Sequence, residues 1–149
     1  MKKIIFAMLI TGFFFVLNAS DVFACSCSLE TGNKSIKEKV KEAHKDSTAV
    51  FVGEVIDIIQ KPDVYSVEVK FKIEKSWDNK SLKEVTIFTG RGGGDCGYKF
   101  EVGKKYLVYA YGNKELATNI CTRTSPAESN EDIAFLNKTK KSKIKSSPK

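Results

Sequence analysis

Cys25-Ser26-Cys27 constrains this chain more than any other stretch, because it places two of the four cysteines one residue apart, directly behind what reads as a secretory cleavage point at Ala24. The other two, Cys96 and Cys121, lie far downstream. Bonding them to the first pair would pin one short peptide to two remote parts of the chain. Four cysteines allow three pairings. A Cys25–Cys27 bond would close a very small ring and ranks last, which leaves two long-range arrangements open. Either closes loops of roughly 70 to 95 residues, worth about 4 kcal/mol each in loop-closure entropy.

Residues 1–24 read as a signal peptide. Lys2 and Lys3 give a charged start, Ile4 to Leu17 an apolar run, and Val22-Phe23-Ala24 a small-residue cleavage pattern. The apolar run falls short of the roughly 20 residues needed to span a bilayer, and no later segment approaches that length. A secreted or cell-surface protein is expected, in a compartment where an even cysteine count favours disulfides over a metal site. The chain has one histidine, His44, and no C-x-x-C, so a resident zinc site has little to build on. No cofactor is expected.

The net charge of +7 is unevenly distributed. Removing Lys2, Lys3 and Asp21 leaves +6, and residues 138–149 hold six lysines and no acid. The body from Cys25 to Asn137 therefore balances, with 17 basic and 17 acidic residues. That is not the footprint of a nucleic-acid-binding domain. Residues 138–149 read as a disordered basic tail able to contact anionic surfaces. The expected organisation is a signal peptide over 1–24, one domain over 25–137 and the tail.

Within the domain, Asn33 to Lys45 reads as a short amphipathic helix, with Ile36, Val40 and Ala43 on one stripe and His44 as a solvated residue at its end. Ala49 to Ile59 is β-branched, with Gly53 marking a bulge. Tyr65, Val67, Val69, Phe71 and Ile73 alternate with polar residues, as a half-buried strand requires. A short strand through Val85, Ile87 and Phe88 follows. Tyr106 to Tyr111 reads as a strand buried on both faces, and Leu116 to Cys121 as a further one. Ser125-Pro126-Ala127-Glu128 has the form of a helix start. Trp77, Tyr98, Tyr106 and Tyr109 read as core or rim aromatics. The run Arg91-Gly92-Gly93-Gly94-Asp95 lacks the helix and Lys-Ser/Thr pair of a phosphate loop and reads as a loop needing positive φ. The fold class is mainly β: a small closed barrel of five or six strands, with a short helix near each end.

The Cys25-Ser26-Cys27 terminus, Ala49-Val50-Phe51-Val52-Gly53-Glu54-Val55, the block from Cys96-Gly97-Tyr98 through Gly103-Lys104-Lys105-Tyr106-Leu107-Val108, and Cys121 together resemble the tissue inhibitors of metalloproteinases. More broadly they resemble netrin-like modules with an OB-type barrel. The resemblance implies disulfides Cys25–Cys96 and Cys27–Cys121, and a monomeric secreted inhibitor whose partner is a zinc metallopeptidase. The amine and carbonyl of Cys25 would then chelate the target's zinc by backbone, not thiolate. Ser26 would point into the pocket beside the metal, and Cys27, Gly94 and Asp95 would complete the inhibitory contacts.

Three other readings stand beside it. One is a non-inhibitory binding module for a protein or an anionic polymer. Another is a lipoprotein acylated at Cys25, since Val22-Phe23-Ala24-Cys25 partly resembles a lipobox. An enzyme is the weakest class, because no Ser/His/Asp, Cys/His or paired-carboxylate set can be nominated.

Overall fold

The structure is a computed structural model and describes residues 25–27, 33–60, 62, 65–78, 82–92, 94–128 and 130–145, the last seven as backbone only. Residues 1–24, read above as a signal peptide, lie outside the described residues. Among the described residues no helix is long and apolar enough to cross a membrane.

Helix α1 (Ile36–Asp46) starts where a capping box makes it start: the Ser35 hydroxyl accepts the Glu38 N–H, and the Glu38 carboxylate accepts the Ser35 N–H at 2.8 Å. Its buried contact is Val40. Ile36, expected on the same stripe, is instead half exposed at the helix start.

Six strands follow: β1 (Ala49–Gln60), β2 (Ser66–Ser76), β3 (Glu84–Gly90), β4 (Lys105–Ala110), β5 (Leu116–Ala117) and β6 (Ser125–Pro126). They form one sheet in the order β5-β3-β2-β1-β4-β6, antiparallel except for β3 with β5. β1 is the long central strand, and its register against β2 shifts between Val52 and Gly53 and again between Val55 and Asp57. Each bulge bends and twists the strand. Gly53 is required there, since a Cβ would lie 2.9 Å from the Lys72 carbonyl oxygen and 3.3 Å from the Phe51 ring. The sheet curls so that its ends approach: Tyr111, just after β4, forms an isolated antiparallel bridge with Ala117 of β5.

The curl explains why β1 and β4 are apolar on both faces. Phe51, Val55, Tyr106, Val108 and Ala110 point to its inside, where they meet Val67, Val69, Phe71, Ile87 and Phe100. Val50, Val52, Leu107 and Tyr109 point outward into a second core with Val40 of α1, Trp77 and Leu136. Leu136 belongs to α2 (Glu131–Lys145), which packs beside α1. In the inner core Phe51, Phe71, Phe100 and Tyr106 make successive edge-to-face contacts with centroids 4.9 to 5.5 Å apart, the arrangement that ring quadrupoles favour.

Several expectations change. Tyr65 precedes β2 rather than joining its inner face; it is 85% exposed and lies under the Arg91 guanidinium. The fifth strand stops at Ala117: the Thr118 N–H still reaches the Phe88 carbonyl, but the chain then turns, with the Thr118 hydroxyl donating to the Tyr109 carbonyl and the Asn119 side-chain oxygen accepting the Cys121 N–H. Ser125-Pro126 pairs with β4 as β6 instead of opening a helix. The helix opens five residues later, where the Asn130 side chain accepts the Asp132 N–H at 3.0 Å as its cap. From there α2 runs through Lys145, so the basic segment expected to be irregular is helical that far. Lysines near a helix C-terminus complement its dipole. His44, expected in solvent, is half-buried, with Nε2 3.5 Å from the Asp78 carboxylate, whose other oxygen accepts the Val50 N–H.

Candidate functional site

The loop after β3 sets the position of Cys96. Asp95 turns its carboxylate back onto that loop and accepts three backbone N–H groups: Arg91 at 2.6 Å, Gly92 at 2.8 Å and Gly97 at 3.0 Å. The Gly97 and Arg91 N–H groups hold the Asp95 carboxyl below the usual carboxylate range. The loop closes so tightly that a Cβ on Gly97 would fall 2.2 Å from the Gly90 carbonyl. Beyond it, the buried Thr89 hydroxyl accepts the Tyr98 N–H at 2.8 Å. Between these fixed points Cys96 adopts φ +60°, a left-handed conformation that is uncommon for a residue with a side chain.

Cys121 is set by a different device. The hydroxyls of Thr118, Thr122 and Thr124 lie 2.7 to 2.9 Å from one another. Thr118 donates to the Tyr109 carbonyl and Thr124 accepts the Tyr109 N–H, so the cluster is tied to β4 one residue from its end. The turn over residues 118–124 is therefore bonded directly into the second core. Ile120 then donates its N–H to the Cys96 carbonyl at 2.9 Å. The segments bearing Cys96 and Cys121 are thus joined by a bond that does not involve the N-terminal peptide.

That peptide bridges them. Cys25 is bonded to Cys96 and Cys27 to Cys121, each with Cα atoms 5.2 Å apart. The sulfurs of Cys25, Cys27 and Cys121 lie within 4.8 Å of one another. No described cysteine is free, so these sulfurs are not thiolate ligands. Cys25 is half-buried, while Ser26 and Cys27 are exposed. The result is a two-point clamp: one exposed serine between two half-cystines, with the carbonyl and nitrogen of Cys25 carried on a residue that is itself covalently fixed.

Among the residues singled out from sequence, the structure joins Cys25, Ser26, Cys27, Cys96 and Cys121 directly. Gly94, at φ +141°, and Asp95 belong to the loop that carries Cys96, and the Asp95 carboxylate faces that loop's own amides. Its role is to position Cys96. Sequence reading missed Thr89, Thr118, Asn119, Ile120, Thr122 and Thr124. Their signal is faint: three threonines flanking one cysteine have no strand or helix period, and their hydroxyls matter only because the fold brings β4 beside them.

Trp77, Tyr106 and Tyr109 are buried in the two cores. A base-stacking platform would have to expose them.

Comparison with models of known protein families and with curated proteins finds no match.

Proposed function

We propose that the chain, once residues 1–24 are removed, is a secreted inhibitor of zinc metalloendopeptidases that caps the target's catalytic zinc with the amine and carbonyl of Cys25. The observation that carries this reading is the clamp. Cleavage before Cys25 would create an α-amine with an ordinary pKa of about 7.7 to 8.0, so its neutral form is accessible near neutral pH. Nitrogen and carbonyl oxygen of one residue form a five-membered chelate on a metal. A catalytic zinc keeps an open position for water, and a ligand already held by two cross-links has little freedom left to lose on taking that position. Ser26, exposed beside it, would enter the neighbouring subsite. Gly94 and Asp95 would line the approach through the loop that fixes Cys96.

The same reading takes the sheet as a closed OB-type barrel of the netrin-like kind. The paired N–H and carbonyl groups of Tyr111 and Ala117, at 2.8 and 2.9 Å, support closure by joining the two ends of the β5-β3-β2-β1-β4 ladder. In this view the barrel is a rigid base, and the clamp sits where the β3–β4 connection and the turn after β5 converge.

The experiment is an inhibition panel against zinc endopeptidases with oxidised protein beginning at Cys25. Inhibition should be lost when one residue is added before Cys25, or when its amine is acetylated, with the thermal midpoint unchanged. An extended form that inhibits equally well rules out chelation.

A further inference from the structure

A cavity of about 660 Å³ opens where the end of β1 and the start of β2 face the segment after Cys96. Ile58, Val67, Val69 and Phe100 give it an apolar wall. Arg91 and Lys99 line it as well, and none of its lining residues is acidic. The Asp95 carboxylate, in the same loop as Arg91, is engaged by its own loop's N–H groups and does not line the cavity. A larger cavity of about 980 Å³ between the helices has the opposite character, with Glu42, Asp46, Glu128, Glu131 and Asp132 against Lys39 and Arg123.

Thr89 supplies the second observation. It is 6% exposed, lines the smaller cavity, and accepts the Tyr98 N–H through Oγ1. Its own hydroxyl hydrogen is donated to no described residue. A buried donor left unused is costly unless a ligand or water accepts from it. The Arg91 guanidinium is steadied at the rim by donating to the Pro62 carbonyl at 3.0 Å and lying 5.9 Å from the Tyr65 ring.

We infer that this cavity is a binding site for an amphiphilic carboxylate, such as a medium-chain fatty acid. The carboxylate accepts from the Thr89 hydroxyl beside Lys99, and the hydrocarbon chain lies on Ile58, Val67 and Phe100. The volume falls within the range of small-molecule sites, which are mostly apolar with a few convergent polar groups. The site is independent of the inhibitory reading, since it uses neither the amine nor the carbonyl of Cys25.

The test is an amide NMR titration of the oxidised protein with octanoate, decanoate and dodecanoate below their micelle concentrations. Saturable binding of one equivalent is expected, with shifts over residues 89–92 and 97–100 and affinity rising about three- to fourfold per added methylene. Lys99 is exposed, so Lys99→Glu leaves the fold intact; it should weaken dodecanoate binding about fivefold or more while decanol binds as before. Absence of saturable binding, equal affinity for dodecyltrimethylammonium, indifference to Lys99→Glu, or shifts confined to other surfaces would each overturn the assignment.

Discussion

Asp95 is the residue on which the clamp's geometry turns. A carboxylate that accepts three N–H groups of its own loop is stabilised in its charged form, and its folded-state pKa is depressed by the Gly97 and Arg91 amides. The sign of the linkage follows from that depression. The contribution is fully present above the unfolded carboxylate value of about 3.9 and is lost as pH falls through the lower folded value. Asp95→Asn has no such titration. Its urea midpoint should therefore lie below the parent's by a constant margin between pH 5 and 8, and the two should converge as the pH falls below about 4. Glu38 is also depressed, chiefly by the Ser35 hydroxyl, but it is present in both proteins and cancels in the difference. Midpoints that stay apart at low pH would mean that Asp95 acts by shape alone.

At the scale of elements, α2 is secured at its first turn by a buried carboxylate as well as by Leu136 in the second core. Asp132 is 5% exposed and takes a bidentate contact from Arg123, at 2.6 and 2.8 Å, and the Tyr109 hydroxyl at 3.0 Å. Burial, and after it the Asp132 charge, pushes the Tyr109 phenol above its ordinary range, so it remains a donor. The bond to Asp132 likewise raises Arg123. Asp132→Ala would leave a buried hydroxyl and a guanidinium without their acceptor. A fully buried pair broken in this way costs about 3–5 kcal/mol. The Arg123 side chain is 34% exposed, and water will re-solvate part of it, so about 2–3 kcal/mol is expected. Tyr109→Phe, which removes one hydrogen bond to a charged group, should cost about 1.5 kcal/mol or slightly more. Chemical denaturation checks both, with unchanged m-values.

Elements with one strong period were legible from sequence: Val67, Val69 and Phe71 alternate because β2 has one buried face, and Tyr106 to Ala110 is continuously apolar because β4 has two. Where side-chain contacts shape a turn or a cap, the pattern carried no information. Thr118 and Asn119 fix the turn after β5 through hydroxyl and amide contacts, and Asn130 rather than Ser125 caps α2. The cysteine positions alone showed that the N-terminal peptide would be tethered, but not which loop each cysteine meets. The Ile120 N–H reaching the Cys96 carbonyl brings those two loops side by side, a contact between segments that share no local signal.

For the whole molecule, the two disulfides span 71 and 94 residues, and each should contribute about 4–5 kcal/mol by restricting the unfolded chain. Entropy of that kind does not depend on where the cross-link sits in the native structure, whereas the proposed chelation does. Replacing both cysteines of one bridge by serine therefore separates the two roles. The Cys27→Ser, Cys121→Ser variant keeps Cys25 bonded to Cys96 but frees the far side of Ser26. It should lose about 4–5 kcal/mol of stability, and inhibition should weaken further than the folded fraction accounts for, because the chelating residue must now be ordered on binding. The comparison is made at a temperature where the variant is fully folded by calorimetry. Under those conditions a pure stability role for the bridge gives an unchanged inhibition constant, and a positional role raises it at least tenfold. The second outcome would identify the sheet, its two cores and the threonine cluster as the support for two atoms of one residue, the amine nitrogen and the carbonyl oxygen of Cys25.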